Sequence, residues 1–414
     1  AWFVLAQLSV PVGAFREAAL SYLRACQRPS PFALQALERA VHISIDHSFF
    51  DLGREPAKAL AEAKADSADA QISHGLCCFF MNHFLEAIEA FDKALKIEPN
   101  NIEALNRCGM SYGYIANNEK AQTYFQKSLS ASCKGNRASR LLVCSNNYLE
   151  NIDEMVVSQS HRDAAAELEA QIDSVASLKL DHAAIVSRKL RIGICSEDFR
   201  IHSVAYFLMP IFKHYDVSKW EIFCYSDVPK ADAVTEDIKG RVDHFIPCNG
   251  LTDEQMYQQI RADEIDVLID LMGYFGQSRF KVFAKRAAPV QMTYLGYPNT
   301  TGLSEMDYRL VDKHTDKGDD EYYSESLIRL DDSFICFEPD ARAPELAPLP
   351  MQTAGFVTFG AFNSIQKLTE LNIRMWSKVL CELPTSRLLL KSVPLNEAAL
   401  VESMLERFGA YGVS

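Results

Sequence analysis

The spacing of apolar residues divides the chain into two parts. In the first part these residues recur at helical spacing: Ala87, Phe91 and Ala94 lie at i, i+4 and i+7 and form one stripe along a helix. From Lys189 onward, short β-branched and aromatic runs alternate with helical segments. The pattern therefore predicts an all-helical region followed by an α/β region.

The helical part repeats itself at an interval of 34 residues. The same residue types recur at matching positions: Gly75 and Gly109, Ala87 and Ala121, Phe91 and Phe125. This period and these residues are typical of tetratricopeptide repeats, in which each repeat is a pair of helices. Residues 98–101 (EPNN) are predicted to end one repeat, and residues 32–66 are predicted to form an off-consensus repeat.

The first residues fit the same repeat frame. Signature positions hold Trp2, Leu5, Ala6, Ala18, Tyr22 and Ala25. Ala1 would then be about the third residue of a repeat, so we expect an N-terminus that has been cut. Such arrays bind peptides on a concave face. The sequence predicts protein or peptide partners, and a non-catalytic scaffold remains an alternative.

The α/β region predicts a mostly parallel, doubly wound sheet. Its predicted strands lie within residues 189–199, 220–226, 244–247, 266–271, 290–296 and 307–312. A second set follows Gly355, with strands at 356–360 and 387–392 around a helix at 369–384. The predicted domains are helical repeats at 1–135, a helical linker at 136–188, a Rossmann-like domain at 189–350 and an incomplete second one at 351–414.

Charge, apolar runs and cysteines limit the classes of partner and the cellular compartment that the sequence predicts. The net charge of −13 disfavours a nucleic-acid partner, because affinity for phosphate backbones comes mainly from Lys and Arg. The sequence contains no run of about 18 apolar residues, so we expect no membrane span. The eleven cysteines form no C-x-x-C pair. They predict reduced, mostly buried thiols and a cytoplasmic protein, or a nuclear one if the source is eukaryotic.

The first candidate chemical motif follows the first predicted strand of the α/β region. In residues 196–202 (SEDFRIH), Asp198 and His202 are four positions apart. If the segment starts a helix, both side chains face one way, and a carboxylate can then orient the imidazole for proton transfer. An N-capping aspartate beside an ordinary surface histidine would give the same spacing.

The second motif is the turn at residues 295–302 (LGYPNTTG). Gly296 and Pro298 are expected to shape it, and backbone N–H groups with the hydroxyls of Thr300 and Thr301 could contact a sugar or phosphate. A plain structural turn is the alternative.

The third motif is residues 362–369 (FNSIQKLT), which follow a predicted strand. Lys367 lies near the start of the next helix, and a lysine with a helix N-terminus can neutralise a diphosphate. The alternative is a surface lysine beside an N-capping Thr369.

Taken together and in order, these motifs carry a family resemblance. The segments are 191–210, 249–274, 283–302, 306–312 and 359–380. Behind tetratricopeptide repeats, they resemble the protein O-GlcNAc transferases and SPINDLY-type enzymes of glycosyltransferase family 41. The resemblance extends over roughly residues 140–410.

The resemblance implies a GT-B fold of two Rossmann-like domains. It also implies inverting transfer of N-acetylglucosamine from UDP-GlcNAc to Ser or Thr of proteins, with no cofactor and no metal ion. Asp198 and His202 would line the acceptor and sugar side, and Lys367 would stabilise the leaving diphosphate, where charge develops. The donor or substrate would contact Gly296, Tyr297, Pro298, Thr300, Thr301, Asn363 and Gln366.

Three departures from the family pattern bear on the donor. The stretch from Ala138 to Val143 lacks the expected histidine, Gln366 replaces the usual tyrosine, and Arg200 replaces a small residue. GDP-fucose, the donor of SPINDLY-type relatives, is therefore the alternative to UDP-GlcNAc. The family's distal motifs lie beyond Ser414, so the resemblance implies a fragment with half a donor site, and inactivity of the fragment follows as an expectation. A second copy of the chain, in a homo-oligomer, is a further candidate partner.

Overall fold

The computed structural model describes residues 1–27, 30–131, 137–180, 186–316, 318, 320–340 and 342–413. These residues form two compact units, one made of Ala1–Asn151 with Leu346–Ser414 and the other of Ile152–Glu345. Cys133 and the predicted boundary at 135/136 lie outside the described residues.

Helices and strands are numbered here in chain order. The helices are α1 Trp2–Ser9, α2 Phe15–Cys26, α3 Ala33–Asp46, α4 Phe50–Ala63, α5 Ala68–Phe80, α6 Phe84–Ile97, α7 Ile102–Tyr114, α8 Asn118–Ala131, α9 Arg137–Asn146, α10 Glu154–Glu169, α11 Ser203–His214, α12 Ala233–Lys239, α13 Asp253–Ala262, α14 Phe280–Ala284, α15 Met351–Ala354, α16 Glu370–Glu382 and α17 Ala398–Gly409. The strands are β1 Leu190–Ser196, β2 Trp220–Ser226, β3 His244–Pro247, β4 Val267–Asp270, β5 Val290–Thr293, β6 Tyr308–Asp312, β7 Ser326–Leu330, β8 Thr358–Ala361 and β9 Arg387–Leu390.

The repeats of the first unit are built from consecutive helix pairs, α1/α2 to α7/α8. Residues 32–66, off consensus in sequence, form the pair α3/α4. Helix α6 ends at Ile97, and the side chain of Asn101 caps α7 by accepting a hydrogen bond from Ala104 N at 3.1 Å. The predicted stop at residues 98–101 is therefore confirmed.

The 34-residue period has a packing cause. A Cβ atom on Gly75 would lie 2.5 Å from Cε1 of Phe91, and a Cβ on Gly109 would lie 2.5 Å from Cε1 of Phe125. Both phenylalanines are buried. Each ring thus lies directly against the backbone of the paired helix, so the repeat requires glycine and phenylalanine together.

We expect Gly109→Ala to lower the free energy of unfolding of the first unit by about 1–3 kcal/mol, because the added methyl group overlaps the ring of Phe125. Alanine normally favours a helix over glycine by about 0.5–1 kcal/mol. Gly409→Ala is therefore the matched control, since no atom lies within 4 Å of its added Cβ. In urea unfolding, the change in the free energy of unfolding should be negative for Gly109→Ala and positive for Gly409→Ala. A stabilising effect of Gly109→Ala would contradict this packing.

The C-terminal part of the first unit packs on the repeats. Strands β8 and β9 pair in parallel, and α16 and α17 bury Ile373, Leu400 and Phe408. The same apolar cluster includes Ala116, with Ile115 packed against it, from the turn between α7 and α8. This part of the chain therefore shares a core with the repeat array.

The second unit contains a seven-stranded parallel sheet in the order β3-β2-β1-β4-β5-β6-β7. The six strands predicted for this region are all present. Strand β7 was not predicted, because its partly exposed residues alternate and include Arg329 rather than forming an apolar run. The strand order reverses direction between β1 and β4, and such a switch point opens a crevice beyond the carboxyl ends of the strands.

The expectations about membrane-spanning segments and about the cysteines can be compared with the structure. Among the described residues, no helix combines the length and apolar character needed to cross a bilayer. The ten described cysteines are all free. Six are buried, but Cys336 and Cys381 are exposed, so burial does not extend to every thiol.

Candidate functional site

The loop after β1 brings Asp198 and His202 together at the switch point of the sheet. Nδ1 of His202 lies 3.2 Å from Oδ2 of Asp198. Residues 198–202 bend instead of starting a helix, and His202 is itself the N-cap of α11, accepting a hydrogen bond from Val204 N at 3.4 Å. The predicted pair is present, but the bend produces it and not a helical segment at 198–202, since the helix begins at Ser203.

Burial and the neighbouring charges shift the pKa of Asp198 in opposite directions. The residue is 6% exposed, and burial raises the pKa of its carboxyl group, against the nearby charges of His202 and Arg200. Arg200 Nη2 lies 3.4 Å from Asp198 Oδ1. The side chain of His202 is 38% exposed. Since Asp198 faces Nδ1, the other ring nitrogen is available to a hydroxyl group.

The loop after β4 is held by a buried carboxylate. Asp270 accepts hydrogen bonds from Met272 N at 3.1 Å, from Gly273 N at 2.8 Å and from the hydroxyl of Thr293 at 3.3 Å. Burial raises the pKa of Asp270 to about 6. This residue therefore ties the carboxyl end of β4 to that of β5.

Beyond β5, the chain passes unusually close to the loop after β4. A Cβ atom on Gly296 would lie 1.6 Å from the carbonyl oxygen of Leu271, so only glycine fits here. Gly273, with φ +55°, lies against a side chain instead: a Cβ atom there would lie 2.3 Å from Cβ of Tyr297. The two loops are thus packed backbone against backbone at the switch-point edge.

Tyr297 points into the protein, where it meets a histidine. It is 1% exposed, and its hydroxyl lies 2.8 Å from Nε2 of His161 on α10. His161 Nδ1 lies 2.7 Å from the carbonyl oxygen of Val157, which can only accept, so Nδ1 carries the proton and Nε2 accepts from the tyrosine. Burial lowers the pKa of His161 to about 4, which keeps the ring neutral at pH 7.

Thr300 and Thr301 are fully buried and bonded to one carboxylate. The hydroxyl of Thr300 donates to Glu325 at 2.6 Å, Thr301 N donates to Glu325 at 2.7 Å, and the hydroxyl of Thr301 contacts Glu325 as well. Arg309 on β6 donates to the carbonyl oxygens of Tyr297 at 2.8 Å and Asn299 at 2.6 Å. The whole turn is therefore fixed from its inner side.

The structure places the predicted donor residues of this turn in two groups. The side chains of Tyr297, Thr300 and Thr301 form its internal supports, whereas Pro298 is exposed and Gly296 is half-buried. Direct donor contact by these residues stays a prediction.

Sequence reasoning missed the supporting residues His161, Arg309 and Glu325. An arginine inside the apolar run of β6 was the available signal for Arg309. His161 and Glu325 lie far from the turn in sequence, and no local pattern marks them.

In the first unit, a cavity of about 470 Å³ opens at the carboxyl ends of β8 and β9. Asn363 and Lys367 line it after β8, and Lys391 and Ser392 line it after β9. Among the described residues, neither lysine forms an ion pair. The cavity therefore has the size of a ligand site, and its lining includes two cations that the described part of the chain leaves without an ion-pair partner.

Lys367 lies in a short 3₁₀ turn, Ile365–Lys367, and α16 begins at Glu370 with Thr369 as its predicted N-cap. Gln366 accepts a hydrogen bond from Asn118 Nδ2 through its carbonyl oxygen at 3.0 Å, and its contact with the donor stays a prediction. Lys391 was missed because it ends a strand with no glycine-rich motif beside it.

One trio of possible metal ligands, His74, Cys78 and Glu86, occurs among the described residues. Arg54 forms an ion pair with Glu86, and His74 Nε2 lies 3.2 Å from the same carboxylate. The negative charge of Glu86 is therefore already matched by protein groups.

Comparison with known proteins gives a consistent result. Residues 154–343 match the model of glycosyl transferase family 41, and residues 68–101 match that of a tetratricopeptide repeat. A mutant of the Thermobaculum terrenum O-GlcNAc transferase superposes with a TM-score of 0.84 at 27% identity, covering 94% of this chain and 74% of that chain.

Two plant proteins named probable UDP-N-acetylglucosamine–peptide N-acetylglucosaminyltransferase SPINDLY are also similar. The one from Oryza sativa subsp. japonica is 35% identical over 238 residues, which are 56% of this chain and 26% of the relative. The one from Arabidopsis thaliana is 38% identical over 226 residues, 53% and 24% of the two chains. This chain thus spans about a quarter of the length of these relatives.

Proposed function

We propose that this chain, whose residues 154–343 belong to glycosyl transferase family 41, acts in the transfer of a sugar from a nucleotide donor to Ser or Thr hydroxyls of proteins. The observation that carries the proposal is the cavity at the carboxyl ends of β8 and β9, whose lining residues include Lys367 and Lys391. Two lysine cations in the lining of one cavity suit a diphosphate.

The acceptor side of the reaction is proposed for the Asp198–His202 pair. The proposal places the ring proton of His202 on Nδ1, where it faces Asp198 Oδ2 at 3.2 Å in place of the 3.4 Å contact from Val204 N, and this leaves Nε2 unprotonated as the base. It takes the proton of the acceptor hydroxyl while the oxygen forms its bond to the anomeric carbon. Because the attack displaces the diphosphate from the opposite face, the configuration at that carbon inverts.

The leaving group is proposed to be stabilised by lysine rather than by a metal ion. As the bond from the anomeric carbon to the diphosphate oxygen breaks, negative charge grows on that oxygen. A cation fixed beside it stabilises the transition state more than the ground state. Lys367 has this role in the proposal, and Lys391 is the second phosphate contact.

UDP-GlcNAc is the proposed donor, because the similar plant proteins bear that donor in their names. GDP-fucose is the second candidate, favoured by Gln366 where the family usually has tyrosine. The repeats are proposed to bind the protein acceptor on their concave face. The free cysteines favour the cytoplasm as the compartment.

The full-length protein should be incubated with UDP-GlcNAc, GDP-fucose or UDP-glucose and a peptide library. Mass spectrometry then identifies the sugar added and the residue modified. Transfer from one donor supports the enzyme and fixes its sugar. A protein that transfers from none of them while its repeats still capture peptides would be the non-catalytic scaffold.

Lys367→Ala should weaken the binding of UDP or GDP by about 1.5–3 kcal/mol, which is about 10- to 150-fold in Kd, because a charged hydrogen bond to the diphosphate is lost. Lys378→Ala is the matched control, since this exposed lysine of α16 is not part of the cavity wall. Calorimetric titration measures the Kd of each variant for UDP and GDP. Equal Kd values for the two variants would leave Lys367 as a surface lysine.

A further inference from the structure

The turn that carries Lys367 is hydrogen-bonded to the repeat array. Asn118, the first residue of α8, is 6% exposed. Its Nδ2 donates to the carbonyl oxygen of Tyr148 at 3.2 Å and to that of Gln366 at 3.0 Å. A side-chain amide has two N–H donors, and here both are used on backbone oxygens. One of these oxygens belongs to the residue immediately before Lys367.

Two further contacts hold the same segment. A Cβ atom on Gly113 would lie 3.1 Å from Nε2 of Gln366, so the end of α7 leaves room for that side chain. Glu150 accepts a hydrogen bond from Leu371 N, in the first turn of α16. Residues before Lys367 are thus bound by the end of the repeat array, and Leu371 after it is bound by the segment that follows α9.

The apolar contacts agree with the polar ones. Ile365 and Leu368, which flank the Gln366–Lys367 pair, are 4% and 6% exposed and share a core cluster with Ala116. Lys367 itself is exposed and lines the cavity. The turn is therefore anchored at each end, with the exposed Lys367 held between two buried residues that line the same cavity, a preorganised arrangement.

We propose that Asn118 is a positioning residue, through which the α7–α8 turn of the repeats sets the place of Lys367 for a nucleoside diphosphate. This inference rests on the proposed function of the Lys367 cavity. It gives the repeat array a second task besides acceptor binding. Because linked binding energies are reciprocal, a bound nucleotide should in turn stabilise the α7–α8 turn.

The test uses Asn118→Asp in the 414-residue chain. Aspartate has the same shape, but its ionised carboxylate has no hydrogen to donate, so it repels both carbonyl oxygens. At the start of α8 it does not weaken the helix, because acidic groups are favoured there. Hydrogen exchange at the backbone amides of residues 365–369 should become faster, and the Kd for UDP or GDP should rise about tenfold.

Asn101→Ala is the control within the same repeat. It removes the cap of α7, where Asn101 Oδ1 accepts from Ala104 N at 3.1 Å, and it leaves the Gln366 carbonyl bonded. A general loss of repeat stability would raise the Kd equally in both variants and would overturn the inference. In a Lys367→Ala background, Asn118→Asp should have little further effect on Kd, because the two changes act through one group.

The two proposals fail in different ways. If the unaltered chain binds neither UDP nor GDP, the proposed function is lost for this chain. The exchange rates of residues 365–369 still decide whether Asn118 positions the turn. If the unaltered chain binds nucleotide and Lys367→Ala weakens it, unchanged exchange and Kd in Asn118→Asp would remove the positioning role alone.

Discussion

His202→Asn is expected to lower kcat of glycosyl transfer by about 10²–10⁴-fold with little change in the donor KM, because the imidazole that accepts the hydroxyl proton is lost. Asparagine is chosen because His202 also caps α11 through Val204 N, and asparagine is a good N-cap. The fold of the second unit should therefore persist. Initial-rate assays of the full-length protein provide the measurement.

Asp198→Asn should lower kcat in the same direction. It keeps the shape of the side chain but removes the charge that faces His202 Nδ1 at 3.2 Å, and with it the force that orients the ring. His214→Ala at the other end of α11 is the control, since its exposed side chain lies far along the helix from the bend. Full activity of His202→Asn would assign the base to another group.

Most of the fold could be predicted from the sequence, because the contacts that define the repeats join residues that are close along the chain. The Gly75–Phe91 and Gly109–Phe125 contacts occur within single repeats, so their 34-residue period is visible in the chain. The predicted order of tetratricopeptide helices before a GT-B α/β region is confirmed. Strand β7 was missed because an edge strand with alternating exposure has no apolar run.

The candidate site was only partly predictable, because its supports come from distant parts of the chain. Asp198 and His202 are four residues apart, and local spacing was enough to find them. His161 reaches Tyr297 from 136 positions away, and Asn118 reaches Gln366 from 248 positions away. Such contacts depend on tertiary packing, and no periodic pattern in the chain encodes them.

Contacts between distant parts of the chain also explain why the role of Thr300 and Thr301 could not be decided from the sequence. Local chemistry suggested that the hydroxyls of Thr300 and Thr301 face a ligand. The structure has both hydroxyls bonded to Glu325, a buried acceptor 24 or more residues later. A polar side chain in a loop is as well explained by an internal partner as by a ligand, and only the folded chain distinguishes them.

Gly296→Ala is expected to have the largest effect on stability, lowering the free energy of unfolding of the second unit by about 3 kcal/mol or more. The added Cβ would lie 1.6 Å from the carbonyl oxygen of Leu271, and neither backbone can yield without separating the loops after β4 and β5. Flexible side chains can move aside from such an overlap, but a carbonyl at the end of a central strand cannot. The turn at residues 295–302 would then shift, so any donor contact it makes should weaken as well.

Gly240→Ala in the same unit is the matched control for Gly296→Ala. There the nearest atom to the added Cβ is the carbonyl oxygen of Asp237 at 3.6 Å, an ordinary contact. Urea unfolding of both variants, followed by hydrogen exchange at residues 271–276 and 294–302, separates a local clash from a general effect of replacing glycine. Because the close approach lies at the switch point, exchange should rise first in these two loops. A Gly296→Ala chain as stable as Gly240→Ala would mean that the two loops do not pack backbone against backbone.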